Sequence, residues 1–426
     1  MIETLAIAIM FVLIAIGVPI AVAILAAALF GVWMLRGELG FLNAALAYYD
    51  AATSFPLIAI PLFVLAGSLM NTGGISRRLI AFVSSLVGFM RGGLAMVNVG
   101  VSLFFAEISG SAVADVAAIG TVLIPEMKRK GYHPTFAAAV TSSSASLAII
   151  IPPSIPMILY AAIANTSVVQ LFVAGIVPGL LGGFSMMVLC WRLAVKYNLP
   201  RDERFDLRKV WRTACDAGWA LLLPVIILGG IFGGMVTATE GAGLAVVAAL
   251  VIGVFIYREV KVGEIVRALI DGVVQTATVM TLVAASGVLG LYITETQAPQ
   301  RFAQAVLALS NEKWVILLIL NFVMFFVGMV LHGAAAIILI TPVALPLVLA
   351  VGIDPVHFGI ILTLNIALGQ QTPPVASVLA TACSIARTSI WDTTRTNLPF
   401  IAILVSIVLA VSYIEAIPMT LVRWFF

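Results

Sequence analysis

Residues 141–154 read TSSSASLAIIIPPS, and residues 365–374 read NIALGQQTPP. Each is a polar run that meets a proline pair inside apolar surroundings. Proline has no backbone N–H to give, and it disfavours helix at the residue before it. A helix entering either stretch is therefore broken there. In the first, carbonyl oxygens of about 144–151 are released beside a row of hydroxyls. The pairs Pro152-Pro153 and Pro373-Pro374 stand 221 residues apart. The same offset lays Pro125 on Pro346, Pro134 on Pro355, Pro178 on Pro399 and Gly131 on Gly352, without a gap from 104 to 178. The chain has only 19 prolines in 426 residues, so this agreement identifies a tandem duplication with units of about 1–200 and 222–420.

The surroundings fix the solvent. The chain is 62% apolar and 10% charged, with a mean hydropathy of +1.19, whereas soluble proteins carry about 25% charged residues. This excludes a soluble globule, a disordered chain, a disulfide scaffold and a nucleic-acid binder, and it implies an all-α polytopic membrane protein. Cys190, Cys215 and Cys383 lie far apart without metal-type spacing and read as apolar packing residues. The N-terminal run holds Glu3 and lacks a basic start, so it reads as a retained span rather than a signal peptide.

Excess Lys and Arg mark cytoplasmic loops. We take 93–130 as a re-entrant hairpin with both feet cytoplasmic, at Arg91 and at 128–130. Following the spans outward then puts 18 of the 22 basic residues on that side, leaving Arg36, Arg301, Lys313 and Arg423 outside. The matching hairpin, 314–350, enters from the opposite face. The repeats are thus inverted, with both termini external and a polar cytoplasmic linker at 198–212. Segments 74–92 and 258–270, short and basic, read as interfacial helices. Inverted repeats with interrupted helices characterise secondary transporters, whose sites lie at the midplane where the repeats meet.

Four places carry the chemistry. The first hairpin tip holds Ser109, Gly110 and Ser111, small oxygen-bearing residues suited to a hard cation such as Na⁺ or to close packing. Glu107 and Asp115 flank it, and acids at membrane depth are costly and by default functional, although Asp115 also suits a structural hydrogen bond. The first break supplies hydroxyls, Ser144, Ser146 and Ser154 among them, and a new helix whose positive N-terminus suits an anion. The second break supplies Asn365, Gly369, Gln370, Gln371 and Thr372, and at least one glutamine is expected to face a cavity. The second tip falls at Leu331-His332-Gly333, where His332 suits solute binding or proton carriage. His133 and His357 read as surface residues near loop ends, and Glu240 as a helix-start acid.

The stretches ISGSAVADVAAIGTVLIPEMKRKGY (108–132), IIPPSIPMILYA (150–161), LFVAGIVPGLL (171–181), LLPVIILGGI (222–231) and GIDPVHFGII (352–361), with TPPV (372–375), resemble the large membrane subunit of TRAP (tripartite ATP-independent periplasmic) transporters. The resemblance covers essentially the whole chain. It implies an elevator-type transporter of the bacterial inner membrane, driven by Na⁺ and needing no other cofactor. Implied partners are a small four-helix membrane subunit, a periplasmic solute-binding protein, a small-molecule solute and the lipid bilayer, but no nucleic acid. Residues 1–92 would hold scaffold spans and a first arm. Residues 93–165 and 314–386 would form the moving transport domain, 166–313 further scaffold and a second arm, and 387–426 a last scaffold span.

Two Na⁺ sites are implied: Ser109, Gly110 and Ser111 with carbonyls near Ser144, and the tip at Gly333 with Asn365 and Gly369. Solute contacts are expected from Glu107, Ser146, Ser154, His332, Gln370, Gln371 and Thr372. Glu107 stands where the family pattern usually has glycine, and His332 where it usually has an acid. This motivates the hypothesis of a solute other than a simple dicarboxylate, for instance a zwitterionic compatible solute. A stand-alone ion or anion transporter of the same build is the alternative. An enzyme is disfavoured, because the chain lacks HExxH, GxSxG and an acid pair with histidine at useful spacing.

Overall fold

The computed structural model describes residues 2–199, 205–260 and 262–426, without the side chains of 2–4, 108, 109 and 262. Residues 200–204 of the expected linker, and Lys261, lie outside the described residues. All regular elements among those described are helices, and nine segments are long and apolar enough to cross a membrane.

The first unit contains α1 (Ile2–Ala15), α2 (Ile20–Arg36), α3 (Gly40–Ala52), α4 (Ala59–Thr72), α5 (Ile75–Val87), α6 (Gly93–Ser109), α7 (Ala112–Arg129), α8 (Pro134–Ala145), α9 (Ile155–Ala164) and α10 (Val168–Lys196). The second contains α11 (Leu207–Phe232), α12 (Ala238–Leu250), α13 (Val262–Glu295), α14 (Ala298–Leu309), α15 (Lys313–Val330), α16 (Gly333–Ala350), α17 (Pro355–Gly369), α18 (Ser377–Ala386), α19 (Ile390–Tyr413) and α20 (Ala416–Phe425).

The 221-residue offset holds element by element. It carries α7 onto α16 end to end, and the starts of α8 and α10 to within a residue of those of α17 and α19. The Pro152–Pro153 and Pro373–Pro374 bonds are both cis. Gly131 and Gly352, each at a turn before a proline-started helix, both have positive φ (85° and 68°) that glycine adopts without steric cost.

Contacts show that the units are inverted. Lys128 Nζ, at the foot of the α6–α7 hairpin, donates to the Ala386 carbonyl at the end of α18. The α15–α16 hairpin instead has its foot near the start of α17, where Lys313 Nζ donates to the Gly352 carbonyl. The run α17–break–α18 spans the distance between the feet, so the hairpins enter from opposite ends.

Two packing groups divide the molecule. In one, α13 lies against α2, α3 and α4, with α12 on α4 and α11 on α5 and α12. In the other, the hairpins pack with α8, α9, α17 and α18. Helices α10 and α19, expected with the scaffold, belong to this second group: α10 packs on α6 and α17, and α19 on α8 and α17. Glycine permits the approach, since a Cβ at Gly175 or Gly179 of α10 would strike Ile150 or Ile151 of the first break.

Other departures are local. Residues 262–270 are the first turns of the unbroken α13 rather than a separate interfacial helix, and the helix matching α5 by the repeat offset is α14. Cys190 and Cys383 are buried as expected, but Cys215 is exposed. His357 is fully buried, its Nε2 2.8 Å from the Val411 carbonyl, because α19 covers the start of α17. Glu240 forms a capping box with Thr237 at the start of α12.

Candidate functional site

The two tips and the two breaks converge on one cavity of about 470 Å³. The first tip turns at Gly110, whose φ of +58° ends α6. A Cβ there would lie 2.9 Å from the Pro153 carbonyl oxygen and 3.1 Å from the Ile155 nitrogen. The tip therefore rests on the first break, and only glycine fits between. The second tip turns at Leu331-His332, and a Cβ on Gly333 would lie 2.7 Å from Gln370 Nε2. That tip rests on the second break.

Three helix N-termini open into the cavity: Ser111 and Ala112 at the start of α7, Ile155 and Pro156 at the start of α9, and His332 and Gly333 at the start of α16. Each presents N–H groups without helical partners and the positive end of a macrodipole. Such ends attract anions. No Lys or Arg side chain is among the cavity's lining residues, so the oriented backbone is the main positive element there. The side chains of Ser111, His332, Gln370, Gln275 and Thr278 add polar contacts to an otherwise apolar wall.

The expected site residues separate into two sets. Gly110, Ser111, His332, Gly333 and Gln370 line the cavity. Glu107 is not among them: it sits half-buried in the last turn of α6. Ser154 is buried and closes the break itself, donating to the Ile149 carbonyl at 2.6 Å. Thr372 donates to the Leu368 carbonyl at 3.1 Å and lies outside the lining.

Gln371 and Ser146 bond to each other rather than to the cavity, and both are buried. Gln370 and Gln371 thus point to opposite sides of the turn made by Pro373 and Pro374, as Pro152 and Pro153 shape the first. The side chain of Ser109 lies outside the described residues. Asp115 is fully buried in the first turn of α7, where a carboxylate complements the helix N-terminus.

Ser144 and Asn365 occupy equivalent places in the repeats, and each bonds into the first helix of its own hairpin. Ser102 Oγ donates to Ser144 Oγ at 2.8 Å, and Asn98 donates to Thr141 one turn earlier at 2.6 Å. Asn365 Nδ2 donates to Asn321 Oδ1 at 2.6 Å, and Asn321 Nδ2 donates to Ser412 Oγ at 3.0 Å. Gly369 lies on the Gly328 backbone of α15: a Cβ at Gly369 would strike that backbone, and one at Gly328 would crowd α17. Each break thereby presents carbonyl-bearing ends beside a buried polar pair, an arrangement of oxygens that suits a small hard cation.

Sequence reasoning missed Asn98, Asn321, Gln275 and Thr278. The asparagines were detectable as amides within otherwise apolar hairpin helices. Gln275 and Thr278 stand in DGVVQTATV (271–279), whose polarity gave no sign of facing the tips.

Residues 7–417 match the family model described as "Tripartite ATP-independent periplasmic transporter, DctM component". The chain is 39% identical over 405 residues to the isethionate TRAP transporter permease protein DctMQ of Oleidesulfovibrio alaskensis, covering 95% of this chain but 64% of that protein. It is 38% identical over 382 residues to the C4-dicarboxylate TRAP transporter large permease protein DctM of Pseudomonas aeruginosa, covering 90% of each. It is 34% identical over 398 residues to the sialic acid TRAP transporter permease protein SiaT of Haemophilus influenzae, again with 64% of the relative covered. The fold is shared with the YdaH transporter of Alcanivorax borkumensis, at a TM-score of 0.64 and 16% identity over 89% of both chains.

Proposed function

The chain belongs to the DctM component family of tripartite ATP-independent periplasmic transporters, multi-pass permease proteins of the bacterial inner membrane and not enzymes, and on that premise we propose that it imports a small organic anion by Na⁺-coupled elevator movement. The observation that carries this reading is the convergence of three helix N-termini on one cavity with no basic side chain in its lining. A carboxylate or sulfonate would be met by backbone N–H groups, Ser111 and His332, and Gln370 would read its polar substituents. Relatives named for isethionate, C4-dicarboxylate and sialic acid transport agree in charge sign. A zwitterionic solute would meet His332 but not Glu107 in this cavity.

The coupling ions would sit where each tip meets its break: near Gly110 and Ser111 with carbonyls around Ser144, and near Gly333 with Asn365 and Gly369. One charge crossing 100 mV is worth about 2.3 kcal/mol, so an extra Na⁺ per cycle would drive accumulation. The moving body would be the packing group that holds both hairpins, with α10 and α19 included. It would slide against α13 and the helices around it. Partners would be a small membrane subunit and a periplasmic binding protein.

Proteoliposomes containing the chain with both partners test the reading, with isethionate, succinate and sialic acid as probes. Uptake of an anion that requires inward Na⁺ and binding protein is expected. Uptake without binding protein would favour a stand-alone transporter, and uptake independent of Na⁺ would remove the coupling.

A further inference from the structure

Beside the central cavity lies a second one, of about 460 Å³, between α4, α7 and α13. Val64, Ala114, Ala117 and Gln275 line both, so the two join at these residues. From this waist the outer cavity follows α4 to Ser68 and Asn71, reaches Ser76 in α5, and follows α7 to Val122. The elements around it carry their basic residues at this end. Arg77 and Arg78 follow α4, Lys128 and Arg129 close α7, and Arg267 lies in the early turns of α13. Such an excess marks the cytoplasmic face. The route from the tips therefore leads towards the cytoplasm.

The lining of this passage differs in kind from that of the central cavity. Its polar groups are Ser68, Asn71, Ser76 and Gln275, and none of its lining side chains is charged. Ser76 Oγ donates to Asn71 Oδ1 at 3.0 Å. The nearby Arg77 and Arg78 are engaged by Glu259, and Arg78 also by Asp216. An anion leaving the central cavity moves away from three positive helix ends and meets one, the start of α5 at Ser76, among neutral amides and hydroxyls that exchange readily with water. A cation here would retain it.

We propose that the outer cavity is a cytoplasm-facing release station for the transported solute, and that Gln275, on a helix outside both hairpins, is the side chain that receives the solute at the waist. Its carboxamide offers a donor and an acceptor at once. The identity of the passing solute rests on the transport reading above, but the passage itself does not.

The passage is tested by placing a cysteine at Ala117, with Cys215, the exposed native thiol, replaced by serine. Ser68→Cys serves as a second reporter. Membrane-impermeant maleimide applied to inside-out vesicles should label Ala117→Cys and Ser68→Cys at least tenfold faster than in right-side-out vesicles. Equal labelling, faster labelling from outside, or reaction only with a lipid-soluble maleimide overturns the passage, the last by showing a lipid-filled cleft. The labelling needs no solute, Na⁺ or binding protein, so it can fail while the transport reading stands, and the reverse. For Gln275, Gln275→Leu should lower the kcat of uptake at least fivefold with KM within twofold, and Gln275→Asn should recover part of it. An unchanged kcat, or a change confined to KM, overturns its role.

Discussion

The side-chain amide of Gln371 donates to the Ser142 carbonyl oxygen at 2.8 Å, joining residues 229 positions apart. The same nitrogen donates to Ser146 Oγ, Asn397 Nδ2 donates to Gln371 Oε1 at 3.1 Å, and Ser143 Oγ donates to Asn397 Oδ1 at 2.7 Å. All these residues are buried. One glutamine at the second break thus holds the last turn of the helix that enters the first.

Replacing it by leucine should destabilise the fold. Gln371→Leu leaves the Asn397 amide without this acceptor in a dry interior, a loss of about 1–3 kcal/mol for an unsatisfied group. A lower thermal midpoint in detergent than that of the parent protein is expected. Identical midpoints would show that the bridge contributes nothing.

The crossing of α15 and α17 admits no side chain at Gly369. Gly369→Ala would drive a methyl group into the Gly328 backbone, where neither partner is a flexible side chain, and overpacking of this kind costs about 1–3 kcal/mol or more. Reduced folded yield and loss of uptake are expected. Gly243→Ala, at a position with no heavy atom within 4 Å of the added carbon, is the control and should match the parent in both assays.

His332 and Glu107 should behave differently. His332 lines the cavity and Glu107 does not. His332→Ala is expected to raise KM for solute about tenfold, equivalent to about 1.4 kcal/mol, while Glu107→Gln leaves KM unchanged. Solute titrations of uptake in proteoliposomes decide it, and a KM shift in the Glu107 variant alone would reverse the assignment.

At the basic end, Arg78 is held by Glu259 at 2.8 Å and lies over the Tyr257 ring at 3.7 Å. The hydrogen bond from Arg78 holds the Glu259 carboxyl below its ordinary value. A depressed carboxylate stabilises the fold above its unfolded-state pKa, and that contribution is lost as pH falls through the lower folded value. Thermal midpoints measured from pH 7 down to about pH 3 should show an acid-dependent decline that is smaller in Glu259→Gln. Equal declines in both proteins would show that this pair carries no pH dependence.

Much of this architecture was legible because proline leaves a helix few alternatives. The breaks and the offset follow from where Pro152, Pro153, Pro373 and Pro374 stand, and the tips from the polar run at 109–111 and its match across the offset. The facing of neighbouring residues was not legible. Gln370 lines the cavity while Gln371 turns to Ser142, and only the geometry of the turn between them decides which is which. Nor was the length of α13 legible, because residues 258–270, with Glu264 and Arg267 among them, read as a separate interfacial segment. At about 1.5 Å per residue the 34-residue helix is roughly 51 Å long, more than the roughly 30 Å hydrocarbon core needs. Its charged start can therefore lie in water without ending the helix. Glu107 is absent from the lining of the central cavity, since residues a turn apart near a tip need not share a face.

The 221-residue offset lays the continuous α13 over α3 and α4, which are parted by a non-helical step at Thr53-Ser54. A machine made of two identical mirrored halves would have equal energy whichever way its carriage stood. Here one flank is a single stiff strut and the other is jointed. In the proposed elevator cycle the two end positions would therefore differ in energy before any ion or solute binds, and the molecule would have a resting side set by its own chain.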